Sequence, residues 1–204
     1  YDSLGYVDDT VKILSVDGVA CTVENIKNGT YKISRPLNIV YKEATLADEV
    51  NKAFYDFLGS SQAQKIISDN GYGSTKDGAT EYTVHAGLTG KIGISGSTSL
   101  QPLMVKLADK FREIQPDVTI EVSGGGSGTG YKNAENGTSQ FGMISESFKS
   151  EKAASCTYYE VAKDGIAVIV SKKNDISNIT LDTLKNIYNC EAGDNAVTTW
   201  DQVK

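Results

Sequence analysis

The chain has little with which to hold a metal ion. Its 204 residues include one histidine, His85, and three cysteines, Cys21, Cys156 and Cys190. None of them stands at metal-ligand spacing, so no metal and no cofactor is assigned. Nor does a Ser or Cys occupy a recognisable nucleophile setting to work with His85, so there are no candidate catalytic residues. Positive charge is short as well: 20 Lys and Arg against 26 Asp and Glu leave a net charge of −6, which argues against nucleic acid as a partner. The eleven tyrosines are scattered and form no stacking platform for bases. No apolar run approaches membrane-spanning length and no signal peptide opens the chain, which reads as a trimmed extracellular fragment or a cytoplasmic protein.

What is present centres on residues 91–145, KIGISGSTSLQPLMVKLADKFREIQPDVTIEVSGGGSGTGYKNAENGTSQFGMIS. A short apolar strand (92–95) runs into a small-polar turn (96–99). A helix follows, on which Leu100, Met104, Leu107, Phe111 and Ile114 share a face. A second strand (118–122) empties into GGGSGTG at 124–130, a polar helical segment reaches residue 136, and residues 141–144 read as a third strand. Strand, helix, strand predicts a βαβ unit, with both turns at the carboxyl ends of parallel strands, where open α/β sheets bind ligands.

Each turn ends a strand and starts a helix. Unpaired backbone N–H groups should therefore point outward beside the hydroxyls of Ser97, Thr98, Ser99, Ser127 and Thr129, as a site for a small anion. Neither turn contains Lys or Arg, so neutral donors and helix dipoles would hold the charge. Ordinary helix capping would explain one such turn, whereas two on adjacent strands favour anion binding. The P-loop pattern fails because Lys132 is displaced and lacks its following hydroxyl. The dinucleotide pattern fails at Thr129 or Tyr131, depending on the glycine taken as first.

Elsewhere, residues 4–7, 11–16 and 31–40 alternate as strands, with a turn at Asp17-Gly18 and a helical turn at 23–29. Residues 45–58 predict an amphipathic helix with Leu46, Val50, Phe54 and Phe57 on one side. A second helix, capped by Ser60 or Ser61, reaches Ile67 and is stopped by Asn70-Gly71. Residues 72–89, with Val84 and Leu88 as their only large aliphatic side chains, read as a mobile linker.

The runs GKIGISGSTSLQPLMVKLADKFREIQPDVTIEVSGGGSGTG, QFGMIS, DGIAVIVSKKN and NITLDTLKNIY followed by TTW resemble the beginning of a phosphate-binding protein, the extracytoplasmic receptor of an ABC-type phosphate importer. YDSLGYVDDTVKILSVDGV and YKISRPLNIVYK resemble the end of such a receptor. The resemblance implies an α/β, type II periplasmic-binding-protein-like fold with its segments in the order end then beginning, as at a tandem-repeat junction or in a circular permutation. It implies one complete permuted lobe (39–170, with the linker 72–89) and a partial second lobe (1–38 and 171–204). Residues 36–41 and 165–171 would be buried parallel strands forming the hinge, and Asp164-Gly165 would lead into one of them or simply make a turn.

By the same resemblance the anion contacts fall on Thr98, Ser99, Ser127 and Ser145, with Ser97, Gly128 and Thr129 beside them. Glu146 stands where many relatives have Arg, and its carboxylate would either accept the proton of a protonated phosphate or repel the anion. The family's second anion loop has no counterpart here, so another copy or a missing segment would complete the cleft. The implied partners are inorganic phosphate and the membrane permease of an importer. The implied location is extracellular or periplasmic, with the full-length protein a membrane-anchored lipoprotein. Cys21 and Cys190 fall in the same implied lobe and form the pair to test for a disulfide, against three isolated thiols. Trp200 resembles a family motif but would also serve as a packing anchor. Two rivals to phosphate binding are a receptor-fold repeat that has lost binding and kept a structural role, and an enzyme acting on phosphate esters. The missing metal cluster and nucleophile weigh against the enzyme.

Overall fold

A computed structural model of the protein describes residues 1–203. In chain order its elements are β1 (Asp2–Ser3), β2 (Val11–Val16), α1 (Val23–Lys27), β3 (Ser34–Tyr41), α2 (Glu49–Leu58), α3 (Ser61–Asp69) and β4 (Gly90–Gly96). There follow α4 (Gln101–Ile114), β5 (Val118–Ser123), α5 (Ser127–Asn136), β6 (Phe141–Ile144), β7 (Thr157–Ser171), β8 (Asn178–Ile179) and α6 (Leu181–Tyr188). The chain divides into two compact units, one of Arg35–Lys163 and one of Tyr1–Ser34 with the chain from Asp164 on.

In the Arg35–Lys163 unit, β5, β4, β6 and β3 lie side by side in that order. β4 is parallel to both neighbours, with Ile92 opposite Ile120 and Ile94 opposite Phe141. β3 is antiparallel to β6, with Asn38 opposite Ile144. This corrects the parallel reading of residues 36–41, as do the antiparallel pairings of residues 166–171 in β7 with β1 and β2. A mostly apolar run reports burial on both faces and carries no information on strand direction.

Alternation along β3 divides its side chains between two cores. Leu37, Ile39 and Tyr41 join Val50, Phe54 and Phe57 of α2 and Leu103, Leu107 and Phe111 of α4. On the other face, Val40 and Ile144 pack against Tyr131 and Ala134 of α5. Phe54 is fully buried, its ring centroid 5.3 Å from Phe111 and 5.9 Å from Phe141. The helix expected from residue 45 starts at Glu49 because Asp48 caps it, accepting from the N–H groups of Val50 and Asn51, while Glu43–Ala47 forms a 3-10 turn. Ser60, rather than Ser61, caps α3.

Residues 72–89 contain neither helix nor strand but are fastened at several points. Gly73 exchanges backbone hydrogen bonds with Lys163, the N–H groups of Thr75 and Lys76 donate to Gln64 Oε1, and the Ser61 N–H donates to Thr80. Tyr82 is buried with its ring centroid 5.6 Å from Phe111 and 5.8 Å from Phe57. An aromatic side chain therefore supplies the anchoring that a count of aliphatic residues overlooks.

The other unit has its own core of Leu14, Val16, Cys21, Ile26, Tyr31, Ala167 and Ile179. Asp17 (φ 50°) and Gly18 (φ 77°) make the expected turn through the left-handed region. Residues 4–7 are not a strand: Leu4–Tyr6 is a 3-10 turn closed by the Val7 N–H on the Leu4 carbonyl, four alternating residues being too few to separate the two conformations. Asp164-Gly165 is not a turn either. Both residues lie within β7, where Asp164 is buried and accepts from the Ser3 hydroxyl. Trp200 is 55% exposed, so it is no packing anchor. The three cysteines are free thiols, Cys21 buried, Cys156 half-buried and Cys190 exposed.

Candidate oxyanion-binding site

The site is built at the carboxyl ends of three adjacent parallel strands. β4 stops at Gly96, β5 at Ser123 and β6 at Ile144, which brings the 97–100 turn, the 124–127 turn and Ser145 to one edge of the Arg35–Lys163 unit. The two turns are tied together by the Gly126 N–H, which donates to the Gly96 carbonyl at 2.9 Å. Gly126 itself has φ 84°, which lets the chain reverse into α5.

Three glycines set α5 directly on the strands. A Cβ on Gly130 would lie 2.2 Å from the Met143 carbonyl oxygen, one on Gly142 2.0 Å from the Gly130 carbonyl oxygen, and one on Gly96 2.7 Å from Gly130 Cα. Backbone approach this close is open only to glycine, and it fixes where the first turn of α5 points. The pattern was visible in GGGSGTG and QFGMIS, but only the paired strands show which glycines are structural.

At that first turn the N–H groups of Ser127, Gly128 and Thr129 have no acceptor among the described residues, and no side chain caps the helix. They form a concentration of positive partial charge. Ser127 Oγ accepts from the Ser145 N–H at 3.1 Å and lies 3.4 Å from Ser145 Oγ; one hydroxyl donates to the other, so the pair keeps one proton to donate to a ligand. Thr98 is exposed and Ser99 half-buried on the neighbouring turn. Ser97 is buried, its Oγ accepting from the Leu100 N–H at 3.3 Å within the turn that leads into α4. The Thr129 hydroxyl donates to the Gly125 carbonyl at 2.8 Å, which leaves its N–H as the group facing outward. Among the described residues no cluster of three or more His, Cys, Asp or Glu could hold a metal ion.

Glu146 follows Ser145 but is engaged by cations. Its carboxylate lies 2.7 Å from Lys152 Nζ and 3.4 Å from Lys149 Nζ. The hydrogen bond from Lys152 holds its carboxyl below the usual carboxylate range. Because the folded value is depressed, the pair contributes above the ordinary carboxylate value and is lost as pH falls through the lowered one. Buried Tyr131 of α5 fastens this loop, its hydroxyl accepting from the Lys149 N–H at 2.9 Å with Lys152 Nζ over its ring. Glu146→Gln would leave both lysines uncompensated near Ser145. Anion affinity should then rise by about threefold at low salt and return toward wild type as screening increases; titrations at two ionic strengths check this, and unchanged affinity at both would separate the lysines from the site.

Residues 77–204 match the model of the PBP superfamily domain. Phosphate-binding protein PstS 2 of Streptococcus pneumoniae serotype 4 is 34% identical over 204 residues, covering 100% of this chain and 67% of the relative. PstS 2 of Streptococcus agalactiae serotype V is 37% identical over 189 residues, covering 92% and 64%. The chain thus spans about two thirds of the length of the curated relatives it matches. A solved phosphate-binding protein of a phosphate ABC transporter from Streptococcus pneumoniae TIGR4 superposes with a TM-score of 0.86 at 35% identity, covering 99% of this chain and 76% of that one. The chain belongs to the PBP superfamily and, within it, to the family of PstS phosphate-binding proteins.

Proposed function

We propose that the protein binds inorganic phosphate, as a solute-binding component of ABC-type import, and catalyses no reaction. The observation that carries this reading is the unpaired N–H groups of Ser127, Gly128 and Thr129 beside the paired hydroxyls of Ser127 and Ser145. Such neutral donors at a helix N-terminus suit a small tetrahedral oxyanion, to which Thr98 and Ser99 add from the adjacent turn. The names of the relatives support phosphate as that anion. The function places the protein outside the cytoplasmic membrane, working with a membrane permease, and anchored there in its full-length form. In this reading residues 39–170 form one lobe in permuted order, and residues 1–38 and 171–204 part of a second lobe that another copy or a further segment completes.

A net hydrogen bond to a charged group is worth roughly 1.5 to 3 kcal/mol. Calorimetric titration of phosphate into Ser127→Ala should therefore show affinity reduced by about one to two orders of magnitude. Tight binding that the substitution leaves untouched would sink the site.

A further inference from the structure

The glycine crossing of α5 over β4 and β6 fixes how close the helix comes, but not how far it slides along its own axis. Packed helices take their register from side chains seated in grooves, and at Gly96, Gly130 and Gly142 there is no side chain to seat. The N–H groups of Ser127, Gly128 and Thr129 move with the helix, so their place depends on a hold elsewhere along it. That hold is at Asn133, six residues beyond Ser127 and so about 9 Å further along the axis.

The Asn133 amide Nδ2 donates at 2.9 Å to Ser95 Oγ on β4, the residue before Gly96. Ser95 Oγ lies 2.8 Å from Ser139 Oγ, and the Ser139 N–H returns to the Asn133 carbonyl at 3.2 Å. These bonds close a ring through the helix, the strand and the connection into β6, with Ser95 and Ser139 both buried. The next residue, Gln140, braces that connection on β4: its N–H donates to the Gly93 carbonyl at 2.9 Å, and its Oε1 accepts from the Gly93 N–H at 2.7 Å. Ser139 is thus held to β4 independently of Asn133, and the ring transmits the place of the strand to the helix. Burying hydroxyls is unfavourable unless they are bonded, and a bonded network fixes geometry in a way that apolar contacts do not. We infer that Asn133, through its bond to Ser95, is a positioning residue of the oxyanion site. It sets the axial place of α5 and with it the place of the three N–H donors. The inference rests on the phosphate-binding reading above and adds to it a residue that touches no ligand.

The test combines calorimetric titration of inorganic phosphate with amide 1H–15N spectra of the phosphate-free protein, each variant first checked for folding by circular dichroism. Asn133→Ala should bind about tenfold more weakly and shift the amide resonances of Ser127, Gly128 and Thr129, which a role confined to stability would leave in place. Ser95→Ala breaks the same bond from the strand side and should lose as much, and the double variant should bind no more weakly than either single one. Asn133→Asp keeps a partner for Ser95, whose bond with Ser139 can run in either sense, and should stay within about threefold of wild type. Asn136→Ala, exposed near the end of the same helix, should bind as wild type does. Should Asn133→Ala fail to fold, Ser95→Ala carries the same test. Full affinity with unmoved resonances in a folded Asn133→Ala or Ser95→Ala, additive losses in the double variant, or an Asn133→Asp protein as weak as Asn133→Ala would overturn the role of Asn133 while leaving phosphate binding standing. Failure of wild type to bind phosphate would instead remove the phosphate-binding reading, and this inference with it.

Discussion

Gly142→Ala is expected to lower stability by about 3 kcal/mol or more and to abolish anion binding with it. The added methyl would sit 2.0 Å from the carbonyl oxygen of Gly130. Both partners are backbone, so no rotamer change relieves the overlap, and the only response is to lift α5 off β6. That movement carries the N–H groups of Ser127, Gly128 and Thr129 away from Ser145. Gly128→Ala is the control: a Cβ there meets nothing within 4 Å, and every N–H is retained. Urea denaturation of both variants, with phosphate titration of whatever remains folded, separates the cases. A Gly142→Ala protein as stable as Gly128→Ala would show that the crossing of α5 and β6 is looser than described.

Phe54→Ala is the second large effect, at about 3 to 5 kcal/mol. Phe54 is fully buried where α2, α4 and β6 meet, with Phe57, Phe111 and Phe141 around its ring. Truncation removes contacts on all these sides and leaves a cavity whose walls belong to different elements and cannot close together. For a chain of this size the midpoint of thermal unfolding of the Arg35–Lys163 unit should drop by roughly 10 °C. Near-ultraviolet dichroism of the aromatic side chains follows that transition, and a drop of less than about 2 °C would mean that the cluster is not the centre of the core.

How much of this could be foreseen differs by element. The βαβ stretch was legible because its helix repeats Leu100, Met104, Leu107 and Phe111 at helical period and its strands end in small polar turns. These are local signals, and the candidate site residues at those turns are legible for the same reason. The pairing of β3 was not legible, since residues 36–41 are apolar on both faces and fit either strand direction. Glu146 stands out in the sequence, but its partners Lys149 and Lys152 are set beside it by a loop that folds back over Tyr131. The anchoring role of Tyr82 depends on Phe57 and Phe111, one on each of two helices, which no sequence window contains.

The fastening of residues 72–89 has a further consequence, for the tolerance of the chain to changes in length. The anchors at Gly73, Thr75, Lys76, Thr80 and Tyr82 divide one long connection into short loops, the stretch between Lys76 and Thr80 among them. Closing a loop costs entropy that grows only with the logarithm of its length, about 0.6 kcal/mol for each doubling. Extra residues placed between Lys76 and Thr80 would therefore burden the fold little. The same number placed between Thr80 and Tyr82, where a single residue separates two anchors, would have to pull the Tyr82 ring from the aromatic core or break the Thr80 carbonyl's bond with the Ser61 N–H, so insertions that look equivalent along the chain would differ sharply in their effect.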